Sequence, residues 1–202
     1  MLRSSQPLKA LSGYVSSEPP SPLILARAEA LTDAFKEYAV KLWMFCKRTL
    51  DVIEEDSGGG LRRPFEGSPF GTITFNFGPK ACTIPHKDHK NLSWGWCSIT
   101  TLGDYDPRKG GHLVLWGLGI AIEFPPHSTI FIPSAIIEHS NTEIQPGETR
   151  MSITQYNSAG LFRWAAYGCA PKGRAEKAGV EPLPWWSDPK HMFSKAPPAS
   201  TL

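Results

Sequence analysis

Two periodicities divide this chain. From about Leu23 to Ile53 apolar side chains return every three or four residues. Leu31, Phe35, Tyr38, Leu42, Phe45 and Thr49 fall on one face of an amphipathic helix. The spacing predicts helix over residues 22–56, ended by Ser57 and the run Gly58-Gly59-Gly60. A loop-like segment then reaches Pro69, and from Gly71 the period shortens to two. Thr72–Phe77, Ala81–Pro85, Trp94–Leu102, His112–Trp116, Ile120–Phe124, Thr129–Ile132, Ala135–His139 and Arg150–Tyr156 read as short strands rich in β-branched and aromatic residues. Turn-forming clusters such as KDHKN, DYDPRKGG and NTEIQPGE separate them. Closely spaced strands behind a helix predict a mainly β fold with flanking helices. Its expected form is a double-stranded β-helix, or jelly roll, over residues 71–158, with the N-terminal helix packed on one sheet. The stretch LFRWAAYG (161–168) adds a short helix and closes a single domain of residues 22–168. Residues 1–21, which contain SSEPPSP, are expected to be a flexible lead-in, and 169–202 an irregular Pro-rich C-terminal tail.

At 202 residues the chain is long enough for one domain with its own core. A hydrophobic content of 41% with 20% charged residues excludes wholesale disorder, and 18 glycines with 19 prolines fit a turn-rich β fold. The balance of 21 basic against 19 acidic residues excludes a polybasic nucleic-acid coat or an acidic tail protein, so DNA or RNA binding would need a local patch. Four cysteines without a CxxC pair, and no apolar run before Ser12, point to reduced thiols in an intracellular protein. The most apolar stretch, Leu113 to Phe124, is too short to span a bilayer, and no membrane partner is expected.

The chemistry concentrates in Ile84-Pro85-His86-Lys87-Asp88-His89-Lys90-Asn91, together with Glu138-His139-Ser140 and Arg150-Met151-Ser152. In an extended strand His86 and Asp88 share a face. A third ligand from a later strand, His139, would complete a set of two histidines and one carboxylate. Such a set leaves one side of a metal open and suits Fe(II) better than a thiolate-preferring structural zinc. Arg150, on the next strand, carries the planar fork that grips a carboxylate such as the far end of 2-oxoglutarate, and Ser152 shares its face. The alternative for Arg150 is a surface ion pair with Glu148 or Glu143.

The segment from about Phe75 to Trp164 resembles the Fe(II)/2-oxoglutarate-dependent dioxygenase superfamily. Within it the segment looks most like the TET/JBP branch that oxidises methylated nucleobases, of the kind expanded in mushroom-type fungi. The metal motif of that branch, H-x-D-x-x-N, is matched by His86, Asp88 and Asn91, and its R-x-S with a later tyrosine by Arg150, Ser152 and Tyr156. The resemblance implies that His86, Asp88 and His139 hold Fe(II) and form the catalytic centre, where O2 reacts. It implies that Arg150 and Ser152 bind the cosubstrate 2-oxoglutarate, and that Asn91 and Tyr156 face the substrate. An amide on the base edge and a ring stacked on its face suit a base flipped from duplex DNA. Animal members have a histidine two residues after the tyrosine to read cytosine, and Ser158 stands there in this chain. A methylated base in DNA is the implied partner, which would place the protein in the nucleus. The same chemistry on a small molecule or protein side chain, in the cytoplasm, and a non-catalytic binding module are the alternatives.

Other residues have plainer readings. The strand phase turns His89 away from Asp88, so it reads as a surface residue. His112 reads as a strand residue or pocket wall, and His127, in a Pro-Pro turn, as exposed. Trp94 and Trp96 read as core. Lys80, Lys87, Lys90, Arg108 and Lys109 surround the expected site mouth, as a phosphate-binding rim or a solvated one. Phe162, Arg163 and Trp164 would close the sheet edge.

Overall fold

The computed structural model describes residues 22–188; the expected lead-in and the last part of the tail lie outside the described residues. Helix α1 (Pro22–Asp56) forms over the span its periodicity predicts but bends at Ala39, where φ −145° and ψ 53° are not helical. Leu31, Phe35, Leu42, Phe45 and Thr49 are buried as their spacing requires, while Tyr38, next to the bend, is 78% exposed. Cys46, Leu50 and Ile53 complete the buried face.

The strands are β1 (Thr72–Asn76), β2 (Cys97–Asp104), β3 (Leu113–Leu115), β4 (Ile120–Ile122), β5 (Thr129–Ile132), β6 (His139–Asn141) and β7 (Thr149–Tyr156). A larger sheet has the order β1-β7-β2-β5 and a smaller one β4-β3-β6, with every neighbour antiparallel. The stretch expected as a strand over Ala81–Pro85 is not a strand, and isolated bridges only flank it, Lys80 to Arg150 and His86 to His139. It nevertheless lies beside β6: His86 and His139 exchange backbone hydrogen bonds of 3.0 and 2.9 Å, and Asn141 N–H donates to the Thr83 carbonyl at 3.2 Å. The pairing slips beyond His86, where Asn141 N–H reaches Thr83 and not Ile84, so no regular ladder forms. With that segment as an edge, the chain passes from the larger sheet (β1) to the smaller (83–86), then β2 to the larger, β3 and β4 to the smaller, β5 to the larger, β6 to the smaller and β7 to the larger. This alternation is a double-stranded β-helix. The strand expected over Ala135–His139 starts only at His139, because Ile136 and Ile137 both donate to the Pro133 carbonyl in a turn.

Two apolar layers result. Between the sheets, Ile99, Ile130 and Ile132 of the larger sheet meet Leu113, Leu115 and Ile122 of the smaller, with Phe124 and Ile137. On the outer face of the larger sheet, Phe35 of α1 packs against Phe70, Trp96 and Phe131 at ring-centre distances of 5.3, 5.4 and 5.6 Å. Phe45 meets Phe162 of α2 (Ala159–Ala166) and Trp185 of α4 (Pro184–Ser187). With α3 (Lys172–Lys177), α4 falls in the stretch expected to be irregular; the buried Trp185 anchors it against α1 despite its prolines. The loop after α1 is tied back by Arg63, which donates to Glu54, to Asp51 and to the Ser68 carbonyl.

Candidate metal centre

Direct pairing of His86 with His139 across the strand edge puts both imidazoles on one face, with ring centres 4.4 Å apart. In each, Nδ1 bonds the carbonyl two residues back: His86 to Ile84 at 2.8 Å and His139 to Ile137 at 2.9 Å. A carbonyl only accepts, so the proton sits on Nδ1 and the Nε2 lone pair is left free. Both Nε2 atoms face the Asp88 carboxylate, His86 at 3.7 Å from Oδ1 and His139 at 4.0 Å from Oδ2. These separations exceed hydrogen bonds. One ligand atom from each residue lies within 4.8 Å of the others. Burial pushes the His139 imidazole below its ordinary value, and the neighbouring His86 acts in the same direction. The Ile137 carbonyl and Asp88 oppose them without reversing the shift. A neutral imidazole is the ligand form.

Asp88 is held from both sides. Its N–H donates to the Ser134 carbonyl at 3.0 Å, and Asn91 Nδ2 donates to its Oδ2 at 3.3 Å and to Ser134 Oγ at 3.2 Å. The Asn91 amide hydrogens are therefore engaged in bracing a carboxylate. Ser158, at the start of α2, bridges Asn91 through the backbone. Tyr156 lies two residues before it on β7, its hydroxyl 3.5 Å from Thr74 Oγ1. Thus Asn91 and Ser158 meet, with Tyr156 on the adjoining strand end.

Arg150 lies on β7 and is 2% exposed. Its Nη1 donates to the Ala81 carbonyl at 2.6 Å, but Nε and Nη2 are buried without a hydrogen-bond partner. Burial pulls the guanidinium below its usual range; the nearby Tyr105 oxygen acts against this, while the Tyr105 hydroxyl itself donates to the Phe124 carbonyl. Opposite Arg150, Gly103 has φ +116°, and a Cβ there would stand 2.3 Å from the Thr149 carbonyl oxygen. Only glycine lets the two strands close at this point. Ser152, on the same face as Arg150, is buried and accepts Asn76 Nδ2 at 3.0 Å, so its own O–H is available to donate. A buried guanidinium with unpaired N–H groups is costly unless an anion completes it, so this position suits a carboxylate. Two imidazole nitrogens and one carboxylate fit Fe(II).

The remaining residues separate from this centre. His89 and His127 are exposed, and His112 Nδ1 is 3.0 Å from Thr142 Oγ1. Trp94, Trp96, Phe162 and Trp164 pack in the core beneath α1. Arg108 and Lys109 both pair with Asp106, at 3.0 and 3.4 Å, leaving Lys80, Lys87 and Lys90 exposed. Three asparagines make contacts that no motif announced. Asn76 orients Ser152. Asn157 clips β1 to the end of β7, donating to the Pro69 carbonyl and accepting from Gly71 N–H, each at 2.8 Å. Asn141 follows His139 by two residues. A lone amide has no spacing signature; Asn76 becomes legible only through its register opposite Ser152.

No known family profile matches the chain, and no curated protein does. Solved structures of similar shape include NgTET1 in complex with 5mC DNA, at 19% identity and TM-score 0.45, over 70% of this chain and 53% of that one. Viral collagen prolyl hydroxylase vCPH from Paramecium Bursaria Chlorella virus-1, in its 2OG complex, is similar at 12% identity and TM-score 0.39, over 70% and 76% of the two chains. A cupin from Desulfovibrio desulfuricans is similar at 16% identity and TM-score 0.29, over 42% and 70%. The chain spans about half the length of the NgTET1 chain. By its own strand order and side chains, the protein is a double-stranded β-helix with a His-Asp-His cluster on the smaller sheet's edge. No helix of the described residues is long and apolar enough to cross a membrane.

Proposed function

We propose that the protein is an Fe(II)- and 2-oxoglutarate-dependent dioxygenase that hydroxylates a C–H bond, with the methyl group of a methylated base in DNA as its substrate. One observation carries the reading: two imidazoles with their Nδ1 protons tied to carbonyls present Nε2 to Asp88, in a fold that also buries Arg150 with unpaired donors. His86, Asp88 and His139 would hold the iron. Bound there with 2-oxoglutarate, it supplies the oxidising power that places one atom of O2 in the substrate and the other in succinate. Arg150 and Ser152 fix the far carboxylate of 2-oxoglutarate, and the fold orients the cosubstrate by gripping both its ends. Asn91 keeps Asp88 in place, and its free carbonyl, Tyr156 and Ser158 line the substrate side. Lys80, Lys87 and Lys90 offer phosphate contacts for DNA, consistent with a nuclear location.

A second substrate class has its own support. Arg108 and Lys109 share the one carboxylate of Asp106, which offsets one of their two charges; this thins the basic rim and favours a small molecule or a protein side chain. The test is nucleoside mass spectrometry after incubation with Fe(II), 2-oxoglutarate, ascorbate and duplex DNA carrying 5-methylcytosine and N6-methyladenine. Oxidised bases that disappear with His86→Ala support the DNA reading. An unmodified digest from protein that forms succinate moves the substrate to the second class.

A further inference from the structure

We propose that Asn141 is a binding residue for the far carboxylate of 2-oxoglutarate, acting beside Arg150. The inference rests on the cosubstrate reading above and extends it to a residue that no motif marks. Asn141 ends β6 and shares a sheet face with His139, two residues before it. Its cross-strand partner is Leu113, one of the side chains packed between the sheets, so this face looks inward. The amide is fixed by Thr83, whose Oγ1 donates to Asn141 Oδ1 at 3.2 Å. The NH2 group is thereby turned the other way, and Nδ2 is buried with no hydrogen-bond partner.

The other unpartnered donors on this side of the fold are Nε and Nη2 of Arg150. The segment following Lys80 links the two residues: Arg150 Nη1 donates to the Ala81 carbonyl, Cys82 Sγ to the Asn141 carbonyl, and Asn141 N–H to the Thr83 carbonyl. Buried amide and guanidinium N–H groups are seldom left unpaired, and three in one neighbourhood call for an acceptor with several lone pairs. A carboxylate is such an acceptor. Position agrees with this. Two residues along a strand cover about 6.6 Å, comparable to the length of a five-carbon dicarboxylate held at one end near His139. Asn141 thus meets the end of the molecule away from the metal ligands.

The experiment measures dissociation constants by calorimetry on the full chain with Mn(II) in the metal site, for 2-oxoglutarate and for 2-oxopentanoate, which lacks the far carboxylate. Asn141→Leu is expected to weaken 2-oxoglutarate binding roughly 10- to 100-fold, the effect of losing one hydrogen bond to a charged group. Asn141→Asp, which sets a negative charge against the carboxylate, should weaken it further. Neither variant should change 2-oxopentanoate or Mn(II) affinity by more than about 2-fold, and Asn141→Gln should recover part of the loss. A thermal unfolding midpoint near that of the wild type shows each variant to be folded; if Leu unfolds the protein, Asp and Gln carry the comparison. Wild-type affinity for 2-oxoglutarate in these variants overturns the assignment and leaves the cosubstrate reading intact. Equal loss for both ligands also overturns it, by marking a general packing role. Wild-type protein that binds Mn(II) but not 2-oxoglutarate overturns the cosubstrate reading and this inference with it.

Discussion

Replacing Arg150 by methionine is predicted to make the ligand-free protein more stable while abolishing its response to 2-oxoglutarate. The side chain is 2% exposed, and methionine keeps most of its apolar stem in place. Two of its nitrogens, Nε and Nη2, have no partner, and a buried unsatisfied group costs about 1–3 kcal/mol. Against that relief stands the hydrogen bond from Nη1 to the Ala81 carbonyl, which as a charged-group bond contributes about 1.5–3 kcal/mol. The difference favours the variant by about 1–2 kcal/mol, or roughly 2–8 °C in midpoint for a chain of this size. Ligand reverses the order. At 100 times its dissociation constant, 2-oxoglutarate adds about 2.7 kcal/mol to the wild type, roughly 5–11 °C, and nothing to a variant that cannot hold it. Thermal unfolding of both proteins, with Mn(II) and with or without 2-oxoglutarate, reads all four values. A variant that melts well below the wild type without ligand refutes the stability argument. Equal ligand shifts in the two proteins refute the role of Arg150.

Further outcomes follow from the core and the ion cluster. Phe35→Ala removes a fully buried ring packed on Phe70, Trp96 and Phe131, and should cost about 3–5 kcal/mol in urea unfolding; a loss below 1 kcal/mol would place α1 elsewhere. Arg63→Met should cost about 2 kcal/mol, at the low end for a paired buried charge because Glu54 and Asp51 stay partly exposed. Burial alone would raise the Glu54 carboxyl, but the hydrogen bonds and charge of Arg63 outweigh it and hold it below its ordinary value. That contribution is present above the ordinary carboxylate range and is lost as pH falls through the lowered value, so the gap between wild type and variant should narrow in acid; an unchanged gap contradicts the pairing. A thiol reagent at neutral pH should label exposed Cys82 first, since burial pushes Cys46 up to about 12 and raises buried Cys97 as well. Loss of the fast phase in Cys82→Ser checks this.

Periodicity located most of the elements because burial enforces it. Thr129–Ile132 forms as spaced, and β7 differs from its expected span only at Thr149. Its limits appear where the backbone leaves regular geometry: α1 bends at Ala39 beside exposed Tyr38, and the slipped pairing over residues 81–85 leaves bridges only at Lys80 and His86. At the site, the alternation of His86 and Asp88 was visible in sequence. The third member, His139, meets them through strand pairing between residues 53 positions apart, which no local pattern encodes. The asparagines were illegible for a related reason. Asn76, Asn141 and Asn157 act through partners that only the folded register supplies, and nothing in their own surroundings distinguishes them.

The central claim is most directly tested by succinate formation from 2-oxoglutarate in purified protein supplied with Fe(II) and O2. The account predicts slow substrate-free turnover in the wild type, with about one iron bound per chain, and none in Asp88→Ala or His139→Ala, both of which lose the iron. Protein that binds one iron through these residues but forms no succinate, with or without methylated DNA, would contradict it.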